Sequence, residues 1–207
     1  MTPEAQEKLD DGLILAAGDG HVEAVQTLLA AGANVHVQDD DALCWAALNG
    51  HKETVKVLLA AGADVHAGDD YALRNAAWSG RTQTVQMLLA AGADIHAEND
   101  EALRWAAQYG HTETVRVLVT HIFAPDSWRE KGRAEIESQA KALYDKIKAE
   151  NPVPERLREA GDILIDCALT CWEQVRPAPP KIQISPLPAQ PSYGFSALAS
   201  SRNRGPL

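Results

Sequence analysis

Long apolar runs, a leader-like start and paired cysteines are all missing from this 207-residue chain. No hydrophobic stretch approaches the roughly 20 residues that a membrane-spanning helix needs, and the opening MTPEAQEKLDDG has no basic start followed by an apolar core. The chain is therefore expected to be soluble and cytoplasmic, with no membrane partner. Three cysteines, Cys44, Cys167 and Cys171, are too few and too odd in number for a disulfide framework, which fits a reducing, intracellular compartment. Basic residues are also in short supply, 19 against 29 acidic ones, for a formal charge of −10. Residues 176–207 hold four of the basic residues and no acid, so the rest of the chain carries −14. An acidic body argues against affinity for phosphate backbones, and no direct nucleic-acid partner is expected. Neither a phosphate-binding glycine loop nor a nucleophile elbow is present. The chain is expected to be no enzyme and to use no cofactor or metal.

What the chain has is a period. Residues 39–68 recur in their apolar frame at 69–98, an offset of 30, with a weaker copy at 9–38 and a fourth beginning at 99. A period of this size means one supersecondary unit repeated, each neighbour completing the next one's core. Two short helices are legible in each unit. The first, through Ala42 to Ala47, follows Asp39, Asp40 and Asp41, which are expected to cap it and to place negative charge at its positive end. It stops at Gly50, as its counterparts stop at Gly20, Gly80 and Gly110, because glycine adopts positive φ at no steric cost. The second helix carries Val55, Leu58 and Leu59 on one stripe, repeated as Val25, Leu28, Leu29 and as Val85, Leu88, Leu89. It ends at Gly62, and residues 63–66 are expected to cross to the next unit as a short extended segment. Burying three stripe residues cannot offset the entropy of ordering a whole unit, so stacking is obligatory. Thr2 and Pro3 are placed to start an extended first helix of the first unit.

These residues resemble a known family. Gly50 to Val65 looks like the second half of an ankyrin repeat, and the Ala-Leu-Arg-x-Ala-Ala segments at Ala72 to Ala77 and Ala102 to Ala107 resemble its first helix. The usual unit is about 33 residues with Thr-Pro-Leu-His opening the first helix. Here the period is 30 and the tetrapeptide becomes Asp41-Ala42-Leu43-Cys44, Tyr71-Ala72-Leu73-Arg74 and Glu101-Ala102-Leu103-Arg104, similar to the shorter variant of many bacterial and large-virus proteins. The shortening falls in the loop between repeats. The implied fold is all-α: a solenoid of four repeats over residues 1–122, with units at about 9–38, 39–68, 69–98 and 99–122. A helical hairpin or cap is expected at 123–175, and an extended proline-rich tail at 176–207.

The fourth unit replaces Ala-Ala-Gly-Ala with Thr120-His121-Ile122-Phe123, which closes the solenoid. Beyond it, one helix is expected over 126–151 with Ile136, Ala140, Leu143 and Ile147 on one face. A second is expected over 155–175 with Leu157, Ala160, Leu164, Cys167, Ala168, Cys171 and Val175 on another. The tail contains seven of the eleven prolines together with the apolar anchors Ile182, Ile184, Leu187, Tyr193 and Phe195. It reads either as a spacer or as a peptide that lies along a surface.

Repeated histidines, His36, His66 and His96 in one series and His21, His51 and His111 in another, suggest metal at first sight. Stacked helices about 8–10 Å apart cannot bring equivalent nitrogens to the roughly 2.0–2.1 Å that zinc requires, so these side chains are expected to bond loop backbone between units. Cys167 and Cys171 are read as buried thiols. The acidic clusters are explained by helix starts.

Binding remains. The ankyrin resemblance implies a concave surface built from first-helix positions that vary while the frame holds: Asp41, Tyr71, Glu101; Trp45, Asn75, Trp105; Leu48, Trp78, Gln108; and Asn49, Ser79, Tyr109. Aromatic side chains of the kind enriched at interface hot spots are prominent among them. Trp78 and Tyr109 are expected at the surface, and Trp45 and Trp105 are open between core and surface. The function expected is non-catalytic protein binding through this face, with the tail as a second candidate contact. The alternatives are a structural subunit of a larger assembly, viral or ribonucleoprotein for example, anchored by the tail, and an acidic, antitoxin-like blocker of a basic enzyme.

Overall fold

The computed structural model describes residues 2–123, 133–150, 162, 164–166 and 168–170. The first helix, α1 (Pro3–Gly18), opens on Thr2, whose hydroxyl accepts from the Ala5 N–H at 3.3 Å, with Pro3 directly behind it. There follow α2 (Val22–Ala30), α3 (Asp41–Asn49), α4 (Lys52–Ala60), α5 (Ala67–Trp78), α6 (Thr82–Ala90), α7 (Ala97–Gln108), α8 (Thr112–Phe123) and α9 (Arg133–Glu150). The described part of residues 162–170 is helical as well.

Odd-numbered helices α1, α3, α5 and α7 stack in one row, α2, α4, α6 and α8 in a second, and each unit is a pair drawn from the two rows. The core is a set of columns at the 30-residue spacing: Leu13, Leu43, Leu73 and Leu103 in the first row, and Val25, Val55, Val85 and Val115 in the second, all buried. Beside the leucines, Ala46-Ala47, Ala76-Ala77 and Ala106-Ala107 are buried too. Their short side chains let neighbouring first helices approach closely, and a methylene added there would meet a filled interior.

Each of the first three units closes its second helix with a paired bond. Ala63 N–H reaches Leu58 O at 3.0 Å while Gly62 N–H reaches Leu59 O at 3.1 Å, and Gly62 sits at φ 96°. Residues 64–67 then form a hydrogen-bonded turn, Ala67 N–H to Asp64 O at 3.3 Å, rather than the extended crossing expected. In α8, Ile122 occupies the glycine position and cannot adopt that conformation cheaply. The helix consequently runs to Phe123, twelve residues against nine in its three predecessors, and buries Phe123.

The expectation that the Asp39–Asp41 cluster caps a helix is corrected. No side-chain cap bond is made at the start of α3, α5 or α7. Instead Gln38, Asp39 and Asp40 have φ of 51°, 54° and 59°, Gly68, Asp69 and Asp70 have 58°, 55° and 57°, and Glu98, Asn99 and Asp100 have 48°, 58° and 61°. Three successive left-handed residues make a full reversal of sense inside the loop, and in α5 and α7 they form a kink within the first turns of the helix. Aspartate and asparagine tolerate this region far better than most residues. Backbone conformation therefore explains the composition of these loops.

The last of the three is also a connector. Asp40 Oδ1 accepts from Asp64 N–H at 2.9 Å, Asp70 Oδ1 from Asp94 N–H at 2.8 Å, and in the first unit Asp10 Oδ1 accepts from Asn34 N–H at 2.7 Å. Each bond reaches 24 residues forward into the following turn. Asp10 makes it from within α1, so the bond does not depend on the left-handed loop. Each of these carboxylates, and that of Asp100, also takes a side chain four residues back: Gln6 Nε2 at 2.9 Å, then His36, His66 and His96 Nδ1 at 3.2, 3.1 and 2.6 Å. An ionised carboxylate only accepts, so Nδ1 must carry the proton.

At the end of the array, the Lys146 ammonium of α9 donates to Asp100 Oδ2 at 2.6 Å. Ile136, Ala140, Leu164 and Ala168 are buried in the same core cluster as the repeats, with Leu143 partly so. Leu157, Ala160, Cys167, Cys171, Val175 and residues 176–207 lie outside the described residues, as does the side chain of Ile147.

Candidate functional site

The exposed face of the first-helix row is what the core columns leave over. Because Leu43, Ala46 and Ala47 point inward, Trp45 is turned out, with 47% of its surface exposed. One unit on, the same position is Asn75 and then Trp105, both half-buried, so Trp45 is a surface residue and Trp105 is partly covered. Tyr71, Trp78 and Tyr109 are exposed; Asp41, Leu48, Glu101 and Gln108 are half-buried. Burial, and next Asp39, raise the Asp41 carboxyl above its ordinary value.

Two of these aromatics form a unit. Trp78 and Tyr109, 31 positions apart, meet edge to face with centroids 5.8 Å apart, and Tyr109 stacks on His111 at 6.5 Å. His111 Nε2–H in turn donates to Trp78 O at 2.9 Å. The imidazole lies over Gly80, where a β-carbon would come within 2.5 Å of Nδ1. Gly80, at φ 67°, is thus required twice, by its backbone and by the ring that covers it. A rigid pair of half-exposed aromatics loses little side-chain entropy on binding, which is the usual physical basis of a hot spot.

Other positions of the face are used internally. Asn49 Nδ2 donates to Gly18 O at 2.7 Å, Ser79 Oγ to Leu48 O at 2.7 Å, and Arg81 Nε to Leu48 O at 3.2 Å. These bonds satisfy the free carbonyls at the end of the preceding first helix, so Asn49 and Ser79 vary as scaffold. Glu101 is held by Arg74 and lies 3.8 Å from Arg104. Arg74 also donates to Gly68 O at 2.9 Å and lies 5.2 Å from the Tyr71 centroid, while Arg104 donates to Glu98 O at 3.0 Å. Both arginines pin the first left-handed carbonyl of their own loop. Cys44 takes that position one unit earlier; burial, then Asp41 and Asp40, push its thiol up to about 12.

The histidine series differ from the expectation in part. His36, His66 and His96 bond aspartate side chains of their own unit rather than loop backbone. His111 does bond backbone of the preceding unit, and His51 lies against Gly20 in the same way. Among the described residues no group of three or more histidines, cysteines and carboxylates is arranged to hold a metal ion.

One residue missed by reading columns only from the second unit onward is Leu15, one unit before Trp45 and 68% exposed. It lines a cleft of about 300 Å³ between α1 and α3 with Ile14, Gly18, Asp19, Trp45 and Asn49. A larger cavity, about 440 Å³, lies between α6 and α8 in the other row, with Leu89, Val117 and His121 among its walls. The tail anchors Ile182, Ile184, Leu187, Tyr193 and Phe195 lie outside the described residues.

The helix pairs, their 30-residue spacing and the forward-reaching loop bonds are accompanied by a family match: a model described as ankyrin repeats, three copies, matches residues 4–69 and again 73–134. The chain belongs to the ankyrin-repeat family. No curated protein matches it closely. Ankyrin repeats are generally non-catalytic modules of protein–protein interaction, and a protein is the partner that this ankyrin array suggests. Among the described residues no helix is long and apolar enough to cross a membrane.

Proposed function

We propose that this ankyrin array binds its protein partner through the exposed face of the first-helix row, centred on Trp78 and Tyr109 and extending to Trp45 and Tyr71. The observation that carries the reading is the edge-to-face pair of Trp78 and Tyr109, half-exposed yet fixed by His111. Asp41, Leu48, Asn75, Glu101, Trp105 and Gln108 support that surface from half-buried positions and contribute less, since Glu101 is already paired. Residues 1–123 carry 18 acidic side chains against seven lysines and arginines, so a partner with a basic surface is favoured. In this reading residues 123–175 close the array, and Lys146 serves Asp100 as its terminal partner.

The test is affinity capture with the full chain as bait, comparing wild type with Trp78→Ala/Tyr109→Ala. A protein held by the wild type should be lost from the double variant, with at least ~10-fold weaker binding on titration, as expected when a hot spot worth more than about 1.4 kcal/mol is removed. The double variant should keep its helical circular-dichroism signal. Undiminished binding by a folded double variant would overturn the assignment of this face.

A further inference from the structure

We infer that the cleft between α1 and α3 receives an arginine side chain of the partner, a deepening that rests on the first-helix face being the binding surface. The cleft exists because of one substitution in the repeat frame. At the position filled by Leu48, Trp78 and Gln108 in later units, the first unit has Gly18. A β-carbon there would already stand 3.5 Å from Trp45 Cβ, and with none present the side of the indole lies open. The space of about 300 Å³ is walled by Ile14, Leu15, Gly18, Asp19, Trp45 and Asn49.

These walls match the three parts of arginine. Ile14 and Leu15 offer apolar surface for a methylene stem. The half-exposed Trp45 indole offers a flat π face to a planar guanidinium. Asp19 is exposed and has no ion pair among the described residues, so its carboxylate is free for a charge-assisted bond. Asn49 is anchored through Nδ2 to Gly18 O at 2.7 Å, which leaves its amide oxygen as a further acceptor. The surrounding field has the same sign: residues 1–50 contain nine carboxylates and a single lysine or arginine, Lys8. An acidic side chain is repelled by that charge. An aliphatic one would desolvate Asp19 without pairing it, and lysine lacks the plane that stacks on indole.

The probe is the blocked tripeptide Ac-Gly-Arg-Gly-NH2 against the same peptide with citrulline, which keeps the shape and loses the charge. Each is titrated into the ¹⁵N-labelled full chain at low salt. Saturable shifts are expected at Leu15, Gly18, Asn49 and the Trp45 indole N–H, with citrulline at least about tenfold weaker for want of the charge-assisted contact. Asp19→Asn should abolish the preference for arginine over citrulline. Gly18→Leu, which fills the cleft as Leu48 does one unit on, should abolish the shifts while leaving the melting transition intact. Equal binding of the citrulline peptide, or arginine shifts scattered over the acidic surface and surviving in Gly18→Leu, overturns the proposal. Its failure is separable from that of the face: loss of the partner on replacing Trp78 and Tyr109, with no arginine site in the cleft, rejects the cleft alone.

Discussion

Replacing Asp70 tests what ties each inter-repeat loop to the one that follows it. Its carboxylate is buried, accepts from Asp94 N–H at 2.8 Å and from His66 Nδ1–H at 3.1 Å, and its backbone is left-handed at φ 57°. Asp70→Ala removes an acceptor from both donors and puts alanine where φ is positive. A bond to a charged acceptor contributes about 1.5–3 kcal/mol, and a left-handed alanine adds about 1 kcal/mol. The His66 ring is more than half exposed and can turn to water, so most of the loss comes from the Asp94 N–H. The expected total is about 2.5–4 kcal/mol. Asp70→Asn keeps an amide oxygen for Asp94 and tolerates the backbone, and should cost about 1–2 kcal/mol. Asp69 provides the control: it is exposed, sits at φ 55° and makes no side-chain hydrogen bond among the described residues, so Asp69→Ala isolates the backbone cost of about 1 kcal/mol and Asp69→Gly relieves it. Urea unfolding followed by circular dichroism measures all four, with fits that allow partial unfolding because repeat arrays lose cooperativity when one interface weakens. If Asp70→Ala costs no more than Asp69→Ala, the forward bond contributes nothing and the reasoning fails.

Three other outcomes follow from the same geometry. Thr82 Oγ and Thr114 Oγ pair at 2.8 Å, whereas the buried Thr54 Oγ has no partner and the residue 32 before it is Val22. Val22→Thr should therefore raise stability by about 1 kcal/mol, and an unchanged or lower melting point would count against the pairing. Burial raises the Asp100 carboxyl, but the hydrogen bonds from Lys146 and His96 outweigh it and hold its pKa below the ordinary carboxylate value. A depressed folded-state pKa gives stability that is present above the unfolded value and is lost as pH falls through the folded one. Lys146→Met should cost about 1 kcal/mol at neutral pH, and its melting curve should converge on wild type on acidification. A gap that persists in acid refutes the pairing. With its thiol pushed up to about 12, Cys44 should resist iodoacetamide at pH 8 in the native chain and react on unfolding, as peptide mapping of Cys44 would report.

Much of the scaffold was legible because it repeats. Gly50, Gly62 and the Val55-Leu58 stripe occur at fixed positions, and both their spacing and their residue types have one physical explanation each. What escaped the sequence was long-range use of polar groups. Asp40 resembles a helix cap because it precedes an apolar run, yet its partner is a backbone amide 24 residues on, and no local pattern encodes that. Asn49 and Ser79 vary like contact residues, but amide and hydroxyl both reach the same carbonyl column, so variation there reflects chemical equivalence. Glu101 looked free until Arg74 was placed beside it. Leu15 and Gly18 could have been found by carrying the columns back one more period, since a glycine among leucine, tryptophan and glutamine is itself a signal.

The forward aspartate bond also bears on how such a chain can change length. Each loop presents the same carboxylate to the loop that follows and the same amide to the loop before, so the joint between residues 40 and 64 is interchangeable with the joint between 70 and 94. Excising one whole 30-residue period, or duplicating one, leaves each internal joint with a matching counterpart. Asp100 also takes a bond from Lys146, which lies outside the period. The joints of the interior therefore accept growth or shrinkage by whole periods, whereas at Asp100 an ion pair to α9 ties the final unit to a residue that does not repeat.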